Sequence, residues 1–377
     1  MMVFGTRPEA IKMAPLARLL RSQPEIDLHV CSTGQHREML DQVLECFDLQ
    51  IEEDLAVMSS GQTLNSLSEQ LIGRLDRAYA AFQPAMVLVH GDTTTSFIAT
   101  LAAFHRRIRV GHVEAGLRTG KLYSPWPEEG NRRLTGVLAD LHFAPTEQAR
   151  ANLLAAGVPD EKIEVTGNTV IDALLWMRSH FIGNGWCPPS HSALAALASN
   201  ARPMVLITGH RRENFGGGFE RICQALAQLA TRYPEVAFVY PVHLNPEVHQ
   251  TVHAMLGNYA NIILMPPLDY RSFVWAMNRS TLILTDSGGV QEEAPSLGKP
   301  VLVMRDDTER PEAVAAGTVR LVGSQIERIV SECARLLDDK NAYQAMSQAH
   351  NPYGDGHACE RIVARLLREF HSPSGRA

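Results

Sequence analysis

The sequence lacks several features that would place it at once in a large class of proteins. No apolar run approaches the roughly 18 residues that a transmembrane helix requires, and the apolar stretch at the N-terminus is too short for a signal peptide. Positive charge is not in excess, since 35 Lys and Arg face 41 Asp and Glu for a net charge of −6. We therefore expect a cytoplasmic protein that binds neither membranes nor, in general, nucleic acids.

Cysteine is scarce and follows no ligand spacing. The six cysteines include no CxxC pair, which favours reduced thiols in a cytosolic protein. His249 and His253 have the spacing of a metal pair on a helix, but no HExxH motif or third ligand accompanies them. We interpret the pair as part of a solvated helix face and expect no metal.

The common fingerprints of nucleotide chemistry are also missing. No GxGxxG follows a predicted strand, and Gly120 with Lys121 and Gly298 with Lys299 are not followed by the Ser or Thr of a P-loop. No GxSxG nucleophile elbow is present. These absences argue against hydride transfer and P-loop ATP hydrolysis, and we expect no cofactor.

What the sequence does contain is a regular alternation of short apolar runs with helical patterns, which is typical of βαβ units. A first series of predicted strands comprises Met2–Phe4, Leu28–Ser32, Met86–His90, Val110–Val113 and Leu141–Ala144. A second series comprises Met204–Thr208, Ala237–Val242, Ile262–Met265, Leu282–Thr285 and Val301–Met304. We predict an α/β protein with two doubly wound, Rossmann-like domains, joined near residues 168–203 and facing each other across a ligand cleft.

The segment TDSGG lies where such sheets bind ligands, beyond the carboxyl end of a predicted strand. It precedes a helix, so the N–H groups of Ser287, Gly288 and Gly289 are suited to bind phosphate. Glu292 or Glu293, about one turn later, can accept hydrogen bonds from ribose hydroxyls. The alternative interpretation is that DSGG is only an N-cap and a turn.

Cations and carboxylates are distributed over the other predicted loops. Guanidinium and ammonium groups bind phosphates, and a carboxylate directly after an apolar strand is costly unless it is paired or functional. Taken singly, each is explained as well by a solvated charge, an N-cap or a structural ion pair. Together they favour acid–base chemistry on a phosphorylated ligand. The cations are Arg7, Lys12, His210, Arg211 and Arg310, and the carboxylates are Asp92, Glu114, Glu128 and Glu129.

The longer motifs are more specific than these physical arguments. In order, from residue 3 to about residue 368, they resemble the non-hydrolysing UDP-N-acetylglucosamine 2-epimerases of bacteria. They read GTRPEAIKMAPL, TGQHREMLDQVLE, HGDTTTS, GHVEAGLRTG, YSPWPEEGNRR, TGNTVIDAL, TGHRREN, TDSGGVQEEAPSLGKPVLVMR, TERPEAV and NPYGDG. The resemblance implies a GT-B-like glycosyltransferase fold with the active site between its domains. It places an N-terminal domain at residues 1–168, a UDP-binding domain at residues 169–357, and a helix at about residues 358–377 that packs back on the first domain.

The activity implied by the resemblance is reversible epimerisation of UDP-GlcNAc to UDP-ManNAc at C2, which supplies ManNAc-type sugars for cell-surface polysaccharides. The implied protein is a cytoplasmic homodimer without cofactor or metal. Carried over residue by residue, the UDP contacts fall on Arg7, Lys12, Phe273, Ser287, Gly288, Gly289, Glu293 and Arg310, with Phe273 beside the uracil and Arg310 near the phosphates. The catalytic candidates are Asp92, Glu114, Glu128 and His210, and all but Glu128 also count as substrate contacts. A second UDP-GlcNAc, acting as an activator, is implied beside Gln35, His36, Arg37 and His243.

Three other functions agree with parts of this pattern. A hydrolysing 2-epimerase would let water attack the intermediate and would release ManNAc and UDP. A retaining UDP-sugar glycosyltransferase shares the fold and the ribose-binding glutamate but needs an acceptor. A non-catalytic sensor of nucleotide sugars would show no turnover. Which carboxylate removes the C2 proton and which returns one is left open at this point.

Overall fold

The computed structural model describes residues 1–34, 37–59, 61–209 and 217–371, with the backbone alone for residues 37–39. The chain divides into two units, one formed by Met1–Ala173 with Tyr353–Ala377 and the other by Leu174–Pro352. The domain boundaries implied by the resemblance, at residues 168/169 and 357/358, stay a prediction. No helix within the described ranges is long and apolar enough to cross a membrane.

The first unit contains a seven-stranded parallel sheet. Its strands are β1 (Met2–Phe4), β2 (Val30–Ser32), β3 (Glu53–Asp54), β4 (Met86–His90), β5 (Arg109–Val113), β6 (Leu141–Ala144) and β7 (Ile163–Val165). They lie in the order β3-β2-β1-β4-β5-β6-β7, and β1, β4 and β6 are buried along their whole length. The chain order reverses between β1 and β4. The carboxyl ends of these two strands therefore flank the switch point at which doubly wound sheets bind ligands.

Threonine defines where several helices of this unit begin. The helices are α1 (Arg7–Arg21), α2 (Arg37–Phe47), α3 (Leu64–Phe82), α4 (Thr94–His105), α5 (Glu128–Leu138), α6 (Glu147–Ala155) and α7 (Thr169–Met177). The side chains of Thr6, Thr63, Thr93 and Thr146 each accept a hydrogen bond from a backbone N–H in the first turn of the helix that follows. Because those N–H groups have no partner inside the helix, the caps stabilise the helix starts at α1, α3, α4 and α6.

The second unit repeats the architecture with a six-stranded parallel sheet. Its strands are β8 (Met204–Thr208), β9 (Ala237–Pro241), β10 (Ile262–Met265), β11 (Leu282–Thr285), β12 (Val301–Val303) and β13 (Val319–Leu321), in the order β10-β9-β8-β11-β12-β13. The helices are α8 (Ala195–Ala198), α9 (Gly217–Arg232), α10 (Pro246–Leu256), α11 (Tyr270–Arg279), α12 (Gly288–Glu293), α13 (Pro311–Ala315), α14 (Ile326–Asp338) and α15 (Lys340–Ser347). The switch point of this sheet lies between β8 and β11.

The chain ends in the first unit with helix α16 (Ala358–His371). The carboxylate of Asp172 accepts the backbone N–H groups of Ala358 (3.2 Å) and Cys359 (2.8 Å) at the start of this helix. Near its other end, Nη2 of Arg109 lies 2.6 Å from Oε1 of Glu369. An anion at the N-terminus of a helix also interacts favourably with the helix dipole. These contacts join α16 to α7 and to the first residue of β5.

Cysteine and histidine show no arrangement for a metal within the described part of the chain. All six thiols are free, and five of them are buried. The rings of His249 and His253 lie 4.2 Å apart on the exposed side of α10. Among the described residues, no group of three or more His, Cys, Asp or Glu side chains is placed to hold a metal ion.

Two separate structural features favour glycine at position 116, in the motif GHVEAGLRTG. Its φ is +89°, and a Cβ added there would lie 2.3 Å from the carbonyl oxygen of Ala149. We expect Gly116→Ala to lower the free energy of unfolding by at least about 2 kcal/mol, because left-handed strain and overpacking add. Gly157 is the matched control: its φ is +87°, but an added Cβ would meet no atom within 4 Å. Thermal unfolding that gives equal losses for Gly116→Ala and Gly157→Ala would show that the contact with Ala149 costs nothing.

Candidate active site

Glu114 lies at the centre of a buried polar cluster at the carboxyl end of the first sheet. It follows β5 directly, and its φ of +61° is unusual for a residue other than glycine. Its Oε2 accepts hydrogen bonds from Nζ of Lys12, on α1, and from Nδ2 of Asn168 at 2.8 Å. Residues held in this left-handed conformation concentrate at functional sites. The backbone therefore aims this carboxylate at two donors from distant parts of the chain.

The charge state of this cluster follows from its surroundings. Burial alone would raise the pKa of the Glu114 carboxyl, but the charge of Lys12 and the hydrogen bonds from Lys12 and Asn168 lower it to about 2. His90, at the end of β4, has its Nε2 3.7 Å from Oε2 of Glu114, and burial lowers the pKa of His90 to about 4. At neutral pH the cluster thus contains an ionised carboxylate beside a neutral imidazole.

Asp92 lies in the turn after β4, next to the Glu114 cluster in the same sheet. Arg132 of α5 donates from Nη2 to Oδ2 of Asp92, and Nδ2 of Asn131 donates to the carbonyl oxygen of Asp92 at 3.0 Å. The Arg132 side chain is only 9% exposed, whereas Asp92 is 25% exposed. Helix α5 therefore fixes Asp92 from the buried side and leaves the carboxylate accessible from the other.

Two neighbouring glutamates at the start of α5 have different environments. Glu129 is fully buried and accepts from Nε of Arg133 (2.9 Å) and from the backbone N–H of Thr119 (3.1 Å), while Arg132 lies 3.5 Å away. The Oε2 of Glu128 is also buried, but it has no hydrogen-bond partner among the described residues. Glu129 is thus satisfied by the protein itself, and Glu128 keeps a buried carboxylate oxygen for another donor.

Glu9 joins the loop after β1 to the start of α4. Its Oε2 accepts from the backbone N–H (2.8 Å) and the hydroxyl (2.8 Å) of Thr6 in a capping box. Its Oε1 accepts from the hydroxyls of Thr93 (2.6 Å) and Ser96 (2.9 Å). A carboxylate that accepts this many hydrogen bonds has no capacity left for a ligand. Glu9 therefore holds the loop after β1, with Arg7 at the first position of α1, against the loop after β4.

In the second unit, the predicted phosphate loop forms the start of α12. Ser287 is its N-cap, and Gly288 and Gly289 are its first two residues. The backbone N–H of Ser287 donates to Oγ1 of Thr285 at 2.9 Å, which fixes the turn after β11. The first N–H groups of a helix have no partner within the helix, and they favour an anion.

The guanidinium of Arg310 lies against this helix start. A Cβ added to Gly288 would be 3.0 Å from Cζ of Arg310. Nε of Arg310 donates to Oε1 of Glu292 at 2.8 Å, and Glu292 is 2% exposed. Glu293 points back along the helix, since a Cβ on Gly289 would lie 3.3 Å from its Oε1. A cation, a helix N-terminus and a carboxylate are thereby brought together, and Glu292 orients the cation.

The remaining predicted site residues are placed as follows. Phe273 is half-buried on α11, and His243 is exposed in the loop after β9, where its Nδ1 accepts from the backbone N–H of Asn245 at 3.1 Å. The predictions for Gln35, His36 and His210, and for the side chain of Arg37, fall outside the described residues.

Comparison with known proteins places the chain in a family. A family model described as UDP-N-acetylglucosamine 2-epimerase matches residues 18–367. The chain belongs to the UDP-N-acetylglucosamine 2-epimerase family. The UDP-N-acetylglucosamine 2-epimerase of Escherichia coli strain K12 is 59% identical over 364 residues, which cover 97% of each chain.

Solved structures of related proteins agree with this family assignment. The crystal structure of UDP-GlcNAc 2-epimerase from Neisseria meningitidis, bound to UDP-GlcNAc, is 49% identical with a TM-score of 0.87, covering 97% of this chain and 99% of that one. A co-structure of S. aureus MnaA with UDP is 45% identical with a TM-score of 0.85, covering 98% and 96%. The chain is thus an isomerase, a UDP-N-acetylglucosamine 2-epimerase with a GT-B-like α/β fold, as the motifs predict.

Four polar residues of this epimerase's cluster in the first unit are not among the sequence predictions. They are Glu9, His90, Asn168 and Arg132, which contact or lie beside the predicted residues Asp92 and Glu114. A signal exists for one of them, because Thr6 followed three residues later by a glutamate is a capping box. The other three are recognisable only through contacts over at least 24 positions in sequence, which no local pattern reveals.

Proposed function

We propose that this epimerase acts by eliminating UDP from UDP-GlcNAc, reprotonating C2 on the other face and adding UDP back. The observation that carries the proposal is the buried, ionised carboxylate of Glu114, which lies beside Asp92 at the carboxyl ends of the strands in the first sheet. The cation-lined start of α12 in the other unit supports a site for the leaving diphosphate. The Neisseria structure bound to UDP-GlcNAc supports the same substrate for this chain.

The chemistry requires both kinds of group. C1 of the sugar is an acetal carbon and not a carbonyl, so the C2 proton is not acidic and a base alone is insufficient. As a base takes that proton, the C2–H electron pair forms the C1=C2 double bond while the C1–O bond breaks and its electrons leave with UDP. The resulting 2-acetamidoglucal is planar at C2. Protonation on the opposite face and attack of UDP on C1 then complete the epimerisation.

In the first unit we assign the proton transfers to carboxylates at the carboxyl ends of β4 and β5 and at the start of α5. Asp92 and Glu114 are each oriented by a cation, and the charge of Lys12 keeps Glu114 ionised. Glu128 offers the buried, unpartnered oxygen described above. His210 is a further candidate through the family resemblance. We leave open which group removes the proton and which returns it.

In the second unit we assign binding of UDP to the start of α12 and its surroundings. The diphosphate is bound by Arg310 with the N–H groups of Gly288 and Gly289, because the N–H of Ser287, which the sequence also suggested, already donates to Thr285. Glu293 accepts the ribose hydroxyls. Phe273 lies beside the uracil, and Arg7 and Lys12 contribute further positive charge. The S. aureus co-structure with UDP supports a nucleotide site of this kind.

Glu128 and Glu129 should respond differently to the same substitution. We expect Glu128→Gln to lower turnover by about 10²-fold or more, since an acid or base in position contributes on that order. We expect Glu129→Gln mainly to lower the melting temperature, because it removes a charge that holds Arg132 and Arg133. Initial rates and thermal unfolding of both variants check this. An active Glu128→Gln enzyme with wild-type kcat would remove Glu128 from the mechanism.

The experiment that tests the mechanism is turnover in deuterated water. Incubation of the purified protein with UDP-GlcNAc should yield UDP-ManNAc with deuterium at C2, because the returned proton comes from solvent-exchanged groups. Release of free ManNAc and UDP would indicate a hydrolysing enzyme instead. Dependence on an added acceptor would indicate a glycosyltransferase, and absence of any turnover a sensor. Epimerisation without deuterium at C2 would contradict proton exchange at that carbon.

We further propose that a second UDP-GlcNAc activates the enzyme beside His243, with Gln35, His36 and Arg37 completing its site. The support is the family resemblance, and a ligand that binds a closed state more tightly shifts the population toward it. Reaction from pure UDP-ManNAc should then show a lag that a trace of UDP-GlcNAc abolishes. A progress curve without a lag would contradict this activation. The same resemblance supports a cytoplasmic homodimer.

A further inference from the structure

A pocket in the first unit lies away from the groups assigned to the reaction. It measures about 650 Å³ and lies between the second half of α5 and the end of α6. Val137, Val158 and Pro159 form its apolar side. None of its lining residues belongs to the cluster around Glu114 and Asp92. A pocket of this volume accommodates a small organic molecule.

Three cations line this pocket, and all three retain unused donors. Nη1 of Arg118 donates to the carbonyl oxygen of Leu117 at 2.8 Å, and the remaining N–H groups of Arg118 have no hydrogen-bond partner within the described ranges. Lys162 is exposed and makes no ion pair with a described residue. Arg133 donates from Nε to Glu129. A guanidinium has five N–H groups, so Arg118 and Arg133 keep donors for a ligand.

Arg118 is placed by a glycine inside a helix. Gly136 belongs to α5, and a Cβ added to it would lie 3.4 Å from Nη2 of Arg118. Glycine in a helix interior is unfavourable relative to alanine, and here it leaves space for the guanidinium. Burial lowers the pKa of Arg118, while the charge of Glu129 opposes that shift. A partly desolvated cation of this kind interacts strongly with an added anion.

The carboxylates around the pocket are already engaged. Glu129 is paired with Arg132 and Arg133 and accepts the backbone N–H of Thr119, as described above. Asp140 accepts from the backbone N–H of Val110 at 2.8 Å, and Asp160 pairs with Arg150 at 2.6 Å. The three lining cations therefore exceed the acidic groups that face them. This excess favours a ligand with two negative charges.

His142 adds a buried ring nitrogen, Nδ1, that has no hydrogen-bond partner among the described residues. It lines the pocket, is 1% exposed, and its Nδ1 makes no hydrogen bond to any described residue. Burial lowers the pKa of His142 to about 4, so the ring is neutral. A neutral imidazole has one donor and one acceptor nitrogen. A hydroxyl can satisfy Nδ1 in either role, because it both donates and accepts.

We propose that this pocket, lined by Arg118, Arg133, Lys162 and His142, is a second anion site that binds the phosphate group of a small hydroxyl-bearing molecule. The phosphate meets the two guanidinium groups and the ammonium, as bidentate arginine contacts favour. The hydroxyl-bearing body lies between His142 and the apolar side formed by Val137 and Val158. The source of the phosphate is either such an ester or free phosphate, and binding measurements separate the two.

The test uses the full chain saturated with UDP, so that the proposed nucleotide site is occupied. Glucose 6-phosphate, inorganic phosphate and glucose are titrated separately by calorimetry at low salt. We expect one glucose 6-phosphate site per chain and no binding of glucose. If inorganic phosphate binds more weakly than glucose 6-phosphate, the natural ligand is a phosphate ester. If it binds as tightly or more tightly, the natural ligand is free phosphate. Absence of binding by both anions overturns the proposal.

Variants locate the binding. Lys162→Glu should weaken glucose 6-phosphate by on the order of 10- to 100-fold, because it replaces a charged donor by a repelling group. Lys340→Glu, an exposed lysine of the second unit, is the matched control and should leave binding unchanged. Both variants should keep wild-type epimerase turnover. Binding that survives Lys162→Glu but is lost in Arg310→Ala would assign the anion to the nucleotide site and overturn the proposal. The oligomeric state of both proteins is measured by light scattering. If the wild type binds no anion and Lys162→Glu dissociates an oligomer, this face is a subunit contact and the proposal is overturned.

Discussion

Replacing Glu114 by glutamine should lower turnover of UDP-GlcNAc by about 10²- to 10⁴-fold, which is the usual contribution of a positioned acid or base. The substitution keeps the shape of the side chain and an acceptor for Asn168, but it removes the negative charge beside Lys12. A neutral amide can neither take the C2 proton nor hold the ammonium. Affinity for UDP, measured by titration, should stay within a few-fold of wild type.

Asp92→Asn should have an effect of similar size for the same reason. Asp92 is held by Arg132, and the amide of asparagine loses that ion pair. Glu369→Gln is the control, since it removes an ion-paired carboxylate on α16 that we place outside the reaction. Wild-type turnover in Glu114→Gln or Asp92→Asn would remove that residue from the mechanism. A comparable loss in Glu369→Gln would show that the assay reports stability instead.

The central strands of both sheets could be predicted from the sequence, and three edge strands could not. The predicted runs at Met86–His90 and Met204–Thr208 coincide with β4 and β8, which are apolar because neighbouring strands and helices bury them. The unpredicted strands are β3, β7 and β13, at the margins of the two sheets. They have two or three residues each and carry charged side chains, as in Ile163–Val165. Pairing with a longer neighbour defines such strands, and a local pattern does not report it.

For the candidate site, position was predictable and pairing was not. The ends of the predicted strands indicated Asp92 and Glu114, because a charged side chain directly after an apolar strand is costly unless it is paired or functional. The partners of these carboxylates come from other parts of the chain, as the contact between Asn168 and Glu114 shows. The physical argument from the residues did not choose between Glu128 and Glu129, whereas the family resemblance indicated Glu128. Successive residues of a helix point about 100° apart, and only the packing of α5 shows which one faces Arg132 and Arg133.

The diphosphate site is tested by Arg310→Ala, which should weaken UDP and also lower kcat. The guanidinium lies against Gly288 at the start of α12. If it binds the leaving diphosphate, its interaction strengthens as charge builds up on UDP in the transition state. Arg310→Lys is the matched variant, because it keeps the charge but loses the planar pair of donors. An Arg310→Ala enzyme that loses only affinity would show that Arg310 binds substrate and transition state equally well.

The ribose contact is tested by Glu293→Ala, for which we expect UDP binding to weaken about 10- to 150-fold, since a hydrogen bond to a charged group contributes roughly 1.5–3 kcal/mol. Glu293 lies within the same helix turn as Glu292, but Glu292 is paired with Arg310, so the two substitutions should differ. A 2′,3′-dideoxy nucleotide provides the second arm of a double cycle. It should bind the wild type poorly and lose little more in Glu293→Ala, because the hydroxyls that Glu293 accepts are already absent. If the dideoxy penalty is the same in both proteins, Glu293 does not contact the ribose, and the assignment of the nucleotide site at α12 must be revised.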